Sequence, residues 1–324
     1  MSVPACLAIA GCGGDQSTLN ARSKQASDIS TLWWWMLAVA GAVFLGAVVM
    51  LAIGYLRRSP GLPFIGEREG VATGLVVVFG MAIPIVILVA LFIVANLTVM
   101  NATSAPKAGS TSMTIRVIGH QWFWEVRYPG THAVTANEIH IPTDTRVNVQ
   151  VTTEDVIHSF WVPQLNRKID LVPGRRNRVL LDTGTPGVYR GQCAEFCGLQ
   201  HAHMGLSVHA QRPERFRAWL ANEARPRLAP ANAAARSGER AFMSSQCASC
   251  HTIRGTAAAG QVGPDLTHVG SRATIAAETL VNNPDNLARW VRDPQSIKPG
   301  AKMPGLHLTP AQLGAIVPYL EGLK

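Results

Sequence analysis

The chain has 324 residues, enough for two or three domains. Its hydrophobic fraction of 48% against a charged fraction of only 15% is lean in charge for a wholly water-borne protein and points to membrane segments. The formal net charge is +9, but residues 112–212 carry only +2 and residues 236–324 only +3. Without a Lys/Arg tract interleaved with aromatics, a nucleic-acid role has no support. The six cysteines fall into three pairs, Cys6 and Cys12, Cys193 and Cys197, Cys247 and Cys250. If the last two pairs hold cofactors, no disulfide framework is left to explain.

At the start of the chain, Ile9-Ala10-Gly11 before Cys12 resembles the end of a bacterial lipoprotein signal. The apolar run is short and no Lys or Arg precedes it, so Cys12 stands open between a lipidated and an unmodified thiol. Residues 15–30 are polar and read as an external linker. Thr31 to Leu56 is then uncharged for 26 residues, opening on Trp33-Trp34-Trp35 and followed by Arg57-Arg58. At ~1.5 Å per residue it reaches ~39 Å, enough to cross a ~30 Å hydrocarbon layer with some tilt. The tryptophans suit one interface and the arginine pair the cytoplasmic side. A second uncharged stretch runs from Gly70 to Ser104 with its apolar core from Val71 to Met100. Pro84 is tolerable inside it, because neighbouring helices can satisfy the freed backbone groups. Such lengths do not suit two buried helices of a soluble core. Residues 31–104 are therefore predicted to form a transmembrane hairpin, with spans at about 32–56 and 71–100 and both ends outside.

From Gly109 the pattern changes. Met113 to Ile118, Val147 to Thr152 and Val179 to Leu181 alternate as strands do, and turns recur at Tyr128-Pro129-Gly130, Val172-Pro173-Gly174 and Thr185-Pro186-Gly187. Many short strands over about a hundred residues predict a β-sandwich or small barrel at 109–212. Late in it, one short loop carries Cys193, Glu195, Cys197, His201 and Met204, and His158 lies upstream. Thiolate, thioether and imidazole together select copper, zinc or iron–sulfur, and the thioether favours an electron-transfer copper site. A zinc clip or a disulfide is the plainer alternative. His203 and His209 fit no ligand position and read as packing or surface histidines.

Cys193-x-Glu195-x-Cys197-x-x-x-His201-x-x-Met204, preceded by His158, resembles the binuclear CuA site of the cytochrome c oxidase subunit II family, within the haem–copper terminal oxidases. The resemblance implies a Greek-key cupredoxin fold. It implies two coppers bridged by Cys193 and Cys197, with His158 and His201 as terminal ligands. Met204 and the backbone carbonyl of Glu195 would be the weak ligands, and the Glu195 side chain would face a magnesium shared with the catalytic subunit. Gly119-His120-Gln121-Trp122-Phe123-Trp124 is similar to the family's aromatic stretch. It places Trp122 where electrons arrive from cytochrome c, while Phe123 and Trp124 read as packing.

Residues 213–236 are rich in Ala, Pro and Arg and read as a linker or short helix. Residues 237–324 open with Cys247-Ala-Ser-Cys250-His251, the c-type haem attachment pattern. Met303 is the sole Met after His251 and the candidate for the second axial position, a pairing that raises haem potential. His268 and His307 are rivals for that position, and a zinc site on Cys247 and Cys250 is a further alternative. Gly263-Pro264-Asp-Leu266 and an end helix over 310–323 with Tyr319 resemble class I cytochromes c, an all-α fold. There the Pro264 carbonyl would orient His251.

A membrane hairpin, a cupredoxin-like copper domain and a tethered cytochrome c thus follow one another. The resemblance covers nearly all of residues 31–324. It implies an oxidase subunit in the bacterial inner membrane, with its metal domains on the periplasmic side. Electrons would come from cytochrome c or a cytochrome bc-type complex and pass to subunit I of an assembly that also holds subunit III. Oxygen reduction to water and proton pumping would reside in the catalytic subunit. A subunit of a copper-containing nitric oxide reductase and a membrane-anchored copper-delivery protein are the other readings. Nitrous oxide reductase shares the copper motif but carries a large catalytic domain that this chain lacks. One departure from the family stands out: Val71 to Met100 contains no acidic residue, only Glu67 and Glu69 precede it, and a proton-uptake role for this subunit is in doubt.

Overall fold

The computed structural model describes residues 14–56, 69–107 and 109–324. Cys6, Cys12, Arg57, Arg58 and Glu67 lie outside the described residues, and with them the lipidation and arginine-pair readings. The chain divides into two units, one of Ser27–Ser104 and one of the residues up to Ala26 together with Ala105–Lys324.

The first unit consists of helices. α1 (Lys24–Leu56) and α2 (Glu69–Thr103) are both long and apolar enough to cross a membrane. Their large side chains point outward, Leu51 at 73% exposure and Phe92 at 70%, a continuous apolar surface that needs lipid or partner helices to cover it. Pro84 leaves its mark on α2. The turn before it, Val78–Ala82, widens to π geometry, because a proline inside a helix removes one N–H and clashes with the preceding turn. Further on, Asn96, Thr98 and Asn101 donate to the carbonyls of Phe92 (2.9 Å), Val94 (2.7 Å) and Leu97 (3.1 Å). Satisfied on their own helix, these polar groups are cheap to hold in lipid.

The expected linker over 15–30 needs correction. α1 begins at Lys24, where the Ser23 hydroxyl accepts from the Ala26 N–H at 3.0 Å, a helix-start cap. The same hydroxyl donates to the Leu165 carbonyl, and the Arg22 N–H donates to the Gln164 carbonyl at 2.9 Å. Those bonds tie the polar segment down.

The second unit opens with ten strands in two five-stranded sheets. β1 (Met113–His120), β2 (Phe123–Arg127), β3 (Val134–Ala136), β5 (Val147–Thr153) and β8 (Asn177–Leu181) form one, in the order β3-β2-β1-β5-β8. β4 (Glu138–Pro142), β6 (His158–Trp161), β7 (Ile169–Leu171), β9 (Gly187–Cys193) and β10 (Gly205–Gln211) form the other, in the order β4-β10-β9-β6-β7. The β1–β5 and β4–β10 pairs are parallel and the rest antiparallel. Alternation drives the closure: Ile115, Val117, Val147, Val149 and Val151 are fully buried, packed with Trp124, Phe160 and Leu206. The result is the expected cupredoxin-like sandwich.

The stretch 213–236, read as a linker or short helix, is helical in its first half. α3 (Pro213–Glu223) packs on the sandwich. Phe216, Trp219 and Leu220 stand at i, i+3 and i+4, one helical stripe. Trp219 meets Tyr128 edge-on at 5.2 Å and stacks on His140 at 3.9 Å.

The haem-motif domain follows, with α4 (Ala233–Ser244), α5 (Cys247–Cys250), the short pair β11 (Thr274–Ile275) and β12 (Leu280–Val281), α6 (Pro284–Arg292), α7 (Pro294–Ile297) and α8 (Pro310–Glu321). α8 begins on a full capping box from Thr309 and Gln312. α4 crosses α8 at Gly238, where an added Cβ would strike the Ala315 carbonyl and come 2.6 Å from Tyr319 Cβ. G238A should therefore destabilise this domain by about 1–3 kcal/mol through overpacking, seen as earlier thermal unfolding by circular dichroism.

Where the two domains meet, Glu223 is buried with its Oε1 unpartnered among the described residues. Burial pushes its carboxyl up to about 7, with Arg272 and Arg254 offsetting only part of the effect. The folded state thus holds a proton that the unfolded chain releases nearer 4.5, so stability declines as pH rises through that interval. E223Q is expected to melt higher than the parent at pH 8 and no higher at pH 4.

Candidate metal centres

The ends of two strands and one loop converge on the first centre. His158 starts β6, Cys193 ends β9, and the intervening loop returns to β10 through Met204. The loop is closed by the Cys193 N–H donating to the Met204 carbonyl at 3.0 Å and by the Ala194 N–H donating to the Ser159 carbonyl at 2.9 Å. Its middle is held by the Cys197 carbonyl, which accepts from Gln121 Nε2 at 2.8 Å and from Trp122 Nε1 at 3.0 Å. Gly198 follows at φ +111, where a Cβ would come 3.0 Å from the Trp122 ring. A side chain there would displace the indole.

The two sulfurs lie 3.8 Å apart, far beyond a disulfide's ~2.05 Å. Around them the donors divide into two sets. Cys193 Sγ has His158 Nδ1 at 3.9 Å and the Glu195 carbonyl at 3.2 Å. Cys197 Sγ has His201 Nδ1 at 3.6 Å and Met204 Sδ at 3.9 Å. Each sulfur thus has its own imidazole and its own weak donor, an arrangement that fits two soft ions sharing both thiolates better than one ion in a closed tetrahedron. His158, Cys193, Cys197 and Met204 are all buried, while the Glu195 side chain is exposed.

Electrostatics favour a cation. Cys193 loses its proton easily, chiefly because Cys197 hydrogen-bonds to its sulfur and against the opposing effect of burial. Cys197 is then pushed strongly up by that neighbouring sulfur and by burial. The pair takes one negative charge readily and a second only if positive charge arrives.

Asp155 was not predicted to take part. Its Oδ1 lies 2.9 Å from His158 Nε2 and its Oδ2 accepts from the Gln121 N–H at 2.7 Å. Burial alone would raise its pKa, but bonds from His158, Gln121 and Val156 hold it well below the carboxylate range. Burial likewise opposes charge on His158, and Asp155 with Cys193 outweighs it, raising the imidazole above its usual value. Asp155 fixes the ring with Nδ1 toward sulfur. The only sequence signal was a carboxylate three residues before a ligand histidine.

The haem motif lies on an apolar cleft lined by His251, Leu266, Trp290, Met303 and Ile316 among others. His251 Nδ1 sits 2.8 Å from the Pro264 carbonyl, so Nε2 is the nitrogen left for iron. Gly263 permits the approach, since a Cβ there would lie 2.5 Å from His251 Cε1. Burial lowers the His251 pKa, partly countered by Pro264, and a ligand imidazole must be neutral. Both cysteines are free. The rival His268 gives Nε2 to the Arg225 carbonyl at 3.0 Å, and neither it nor His307 lines the cleft. Trp122 lines the cleft as well, so the residue that braces Cys197 also faces the haem-motif domain.

His209 stacks on His140 at 4.6 Å near Glu138. Their donor atoms lie within 4.8 Å of one another, but Glu138 Oε1 already accepts from the Ala273 N–H at 2.7 Å, and His140 is stacked on Trp219. That cluster is packing. At the copper loop, D155N should weaken copper retention about 10- to 100-fold by freeing the His158 ring, measured by competition with a chelator in the full-length chain.

Comparison with known proteins matches two domain families to this chain. The family described as cytochrome c oxidase subunit II, periplasmic domain, matches residues 132–211, and the cytochrome c family matches residues 235–324. Cytochrome c oxidase subunit 2 of Alkalihalophilus pseudofirmus is 32% identical over 327 residues, covering 98% of this chain and 94% of the relative. The subunit 2 of Bacillus sp. PS3 is 33% identical over 261 residues, covering 75% of this chain and 72% of its own. Among solved structures, the periplasmic domain of subunit II of cytochrome oxidase from Bradyrhizobium japonicum is 31% identical, covering 37% of this chain and 96% of that one with a TM-score of 0.35. The chain belongs to the cytochrome c oxidase subunit II family, in a form that carries its own cytochrome c domain.

Proposed function

We propose that this chain receives electrons for a respiratory oxidase. Its cytochrome c domain takes them from an external donor, a cytochrome c or a cytochrome bc-type complex. Its copper domain delivers them to the catalytic haem–copper subunit I, which reduces O2 to water with proton pumping. One observation carries this reading: Trp122 lines the haem-motif cleft while its indole N–H donates to the carbonyl of Cys197 at 3.0 Å.

Copper and haem iron bound at these sites would supply one-electron chemistry with little change in ligation. Cys193, Cys197, His158, His201 and Met204, with the Glu195 carbonyl, would hold the coppers. Cys247, Cys250, His251 and Met303 would hold the haem, the two cysteines through thioether bonds. Protein donors fill both sets, which suits electron relay over substrate binding. Asp155 and Pro264 keep the two imidazoles in the required tautomer, and the buried setting keeps water from the sulfurs. The exposed Glu195 carboxylate would face magnesium at the boundary with subunit I, and subunit III would complete the assembly. The two apolar helices would anchor the chain in the bacterial inner membrane with both metal domains on the periplasmic side.

The reading is tested on the complex purified through a tag on this chain, with ascorbate and a mediator as reductant. Cyanide-sensitive oxygen uptake is the expected result. Nitric oxide turnover with negligible oxygen uptake would move the chain to a nitric oxide reductase. Consumption of neither gas, without a large co-purifying membrane subunit, would overturn the relay itself. H251A should abolish the haem c absorption, leave the CuA signal intact, and still permit oxidation of an artificial donor that reaches copper directly.

A further inference from the structure

The cytochrome c domain and the copper domain share an interface built around one buried lysine. Lys298 follows α7, on the segment that leads to Met303, and is only 3% exposed. Its Nζ donates to the carbonyls of His203 at 2.8 Å, Trp122 at 3.2 Å and Ala276 at 3.2 Å. All three ammonium donors are thus spent on backbone, two of them across the domain boundary and beside the copper loop. An ammonium taken out of water is retained only where its donors are met, and a separated domain would leave this one without two of its three acceptors.

The segment facing it is strained. Ala276, Ala277 and Glu278 stand in succession at φ +54, +57 and +64, a left-handed run that residues with a Cβ avoid. Such a run persists where its surroundings over-determine it, and here the copper domain does so. The Gly205 N–H donates to the Ala277 carbonyl at 3.2 Å, and Arg190 Nε lies 3.5 Å from Glu278 Oε2. Two further contacts flank Lys298: Gln200 Nε2 donates to the Pro299 carbonyl at 2.6 Å, and Lys302 Nζ pairs with Asp155 Oδ2 at 3.2 Å.

We propose that Lys298 is a positioning residue that pins the cytochrome c domain onto the copper domain, so that electrons cross between them in one fixed pose and not in repeated tethered collisions. The proposal rests on the electron-transfer reading above. A tether alone raises local concentration to about the millimolar range and still leaves an encounter to be made; a pinned interface has none.

The test uses the full-length chain, loaded with both cofactors, in detergent. In the parent protein, haem-to-copper electron transfer after flash reduction should be unchanged when glycerol raises the viscosity, and a rate that falls with viscosity overturns the pin. In K298L, transfer should slow by about tenfold or more, as expected when a preorganised contact becomes an encounter, with both redox potentials unchanged. Amide exchange in residues 203–207 should rise by about the same factor while α4 stays protected, which reports on the interface and not on catalysis. Unchanged exchange and transfer in K298L overturn the proposal. A parent protein lacking either the haem c or the CuA absorption would instead overturn the electron-transfer reading beneath it, so the two failures are distinguishable.

Discussion

Two buried thiols 3.8 Å apart on one loop are the constraint around which this molecule is built. They cannot join as a disulfide without moving, and the pair takes a second negative charge only when a cation arrives. The loop therefore has to be held open at a fixed width, and the sandwich does this by securing it at its ends and its middle. The bond from the Cys193 N–H to the Met204 carbonyl closes the ends, and Gln121 and Trp122 share the Cys197 carbonyl at the middle. These donors lie at the end of β9 and in the two-residue turn between β1 and β2, where packing leaves little freedom.

The same residues extend the constraint outward. Trp122 braces the loop with its indole N–H and offers its own carbonyl to Lys298. Asp155 orients His158 with one oxygen and meets Lys302 with the other. The first contact reaches the buried lysine before Met303, and the second reaches the residue next to Met303. Short polar chains thus run between the two candidate sites. Coupling of this kind needs no moving part, which suits one-electron transfer between centres that change little on reduction.

Burial does much of the chemical tuning. It raises Glu223 and lowers His251 and Lys298, whereas the two cysteines are coupled chiefly by the hydrogen bond between their sulfurs. The membrane unit solves the opposite problem, because lipid offers no partner to a polar group. Asn96, Thr98 and Asn101 turn back on their own helix, and a widened turn accommodates Pro84.

Much of this was legible in the residue order. Local spacing alone identifies Cys193, Cys197, His201 and Met204 as one donor loop and Cys247-x-x-Cys250-His251 as a haem anchor, because the ligands lie within a few residues of each other. The two apolar helices and the alternating strands are equally local signals. Residue order left 213–236 open between a linker and a short helix, because the α3 stripe of Phe216, Trp219 and Leu220 is short within an Ala/Pro/Arg-rich stretch. It did not disclose the capped start of α1 at Lys24, which depends on Ser23 and its partners Leu165 and Ala26. Lys298 and the left-handed run at Ala276–Glu278 acquire meaning only from residues that lie scores of positions away in the chain. Sequence determined which chemistry is present, since that is set by residue type and short spacing. Tertiary structure decided which ring nitrogen faces the metal, which charges are buried and how the two domains meet, because those depend on desolvation and on contacts between distant segments.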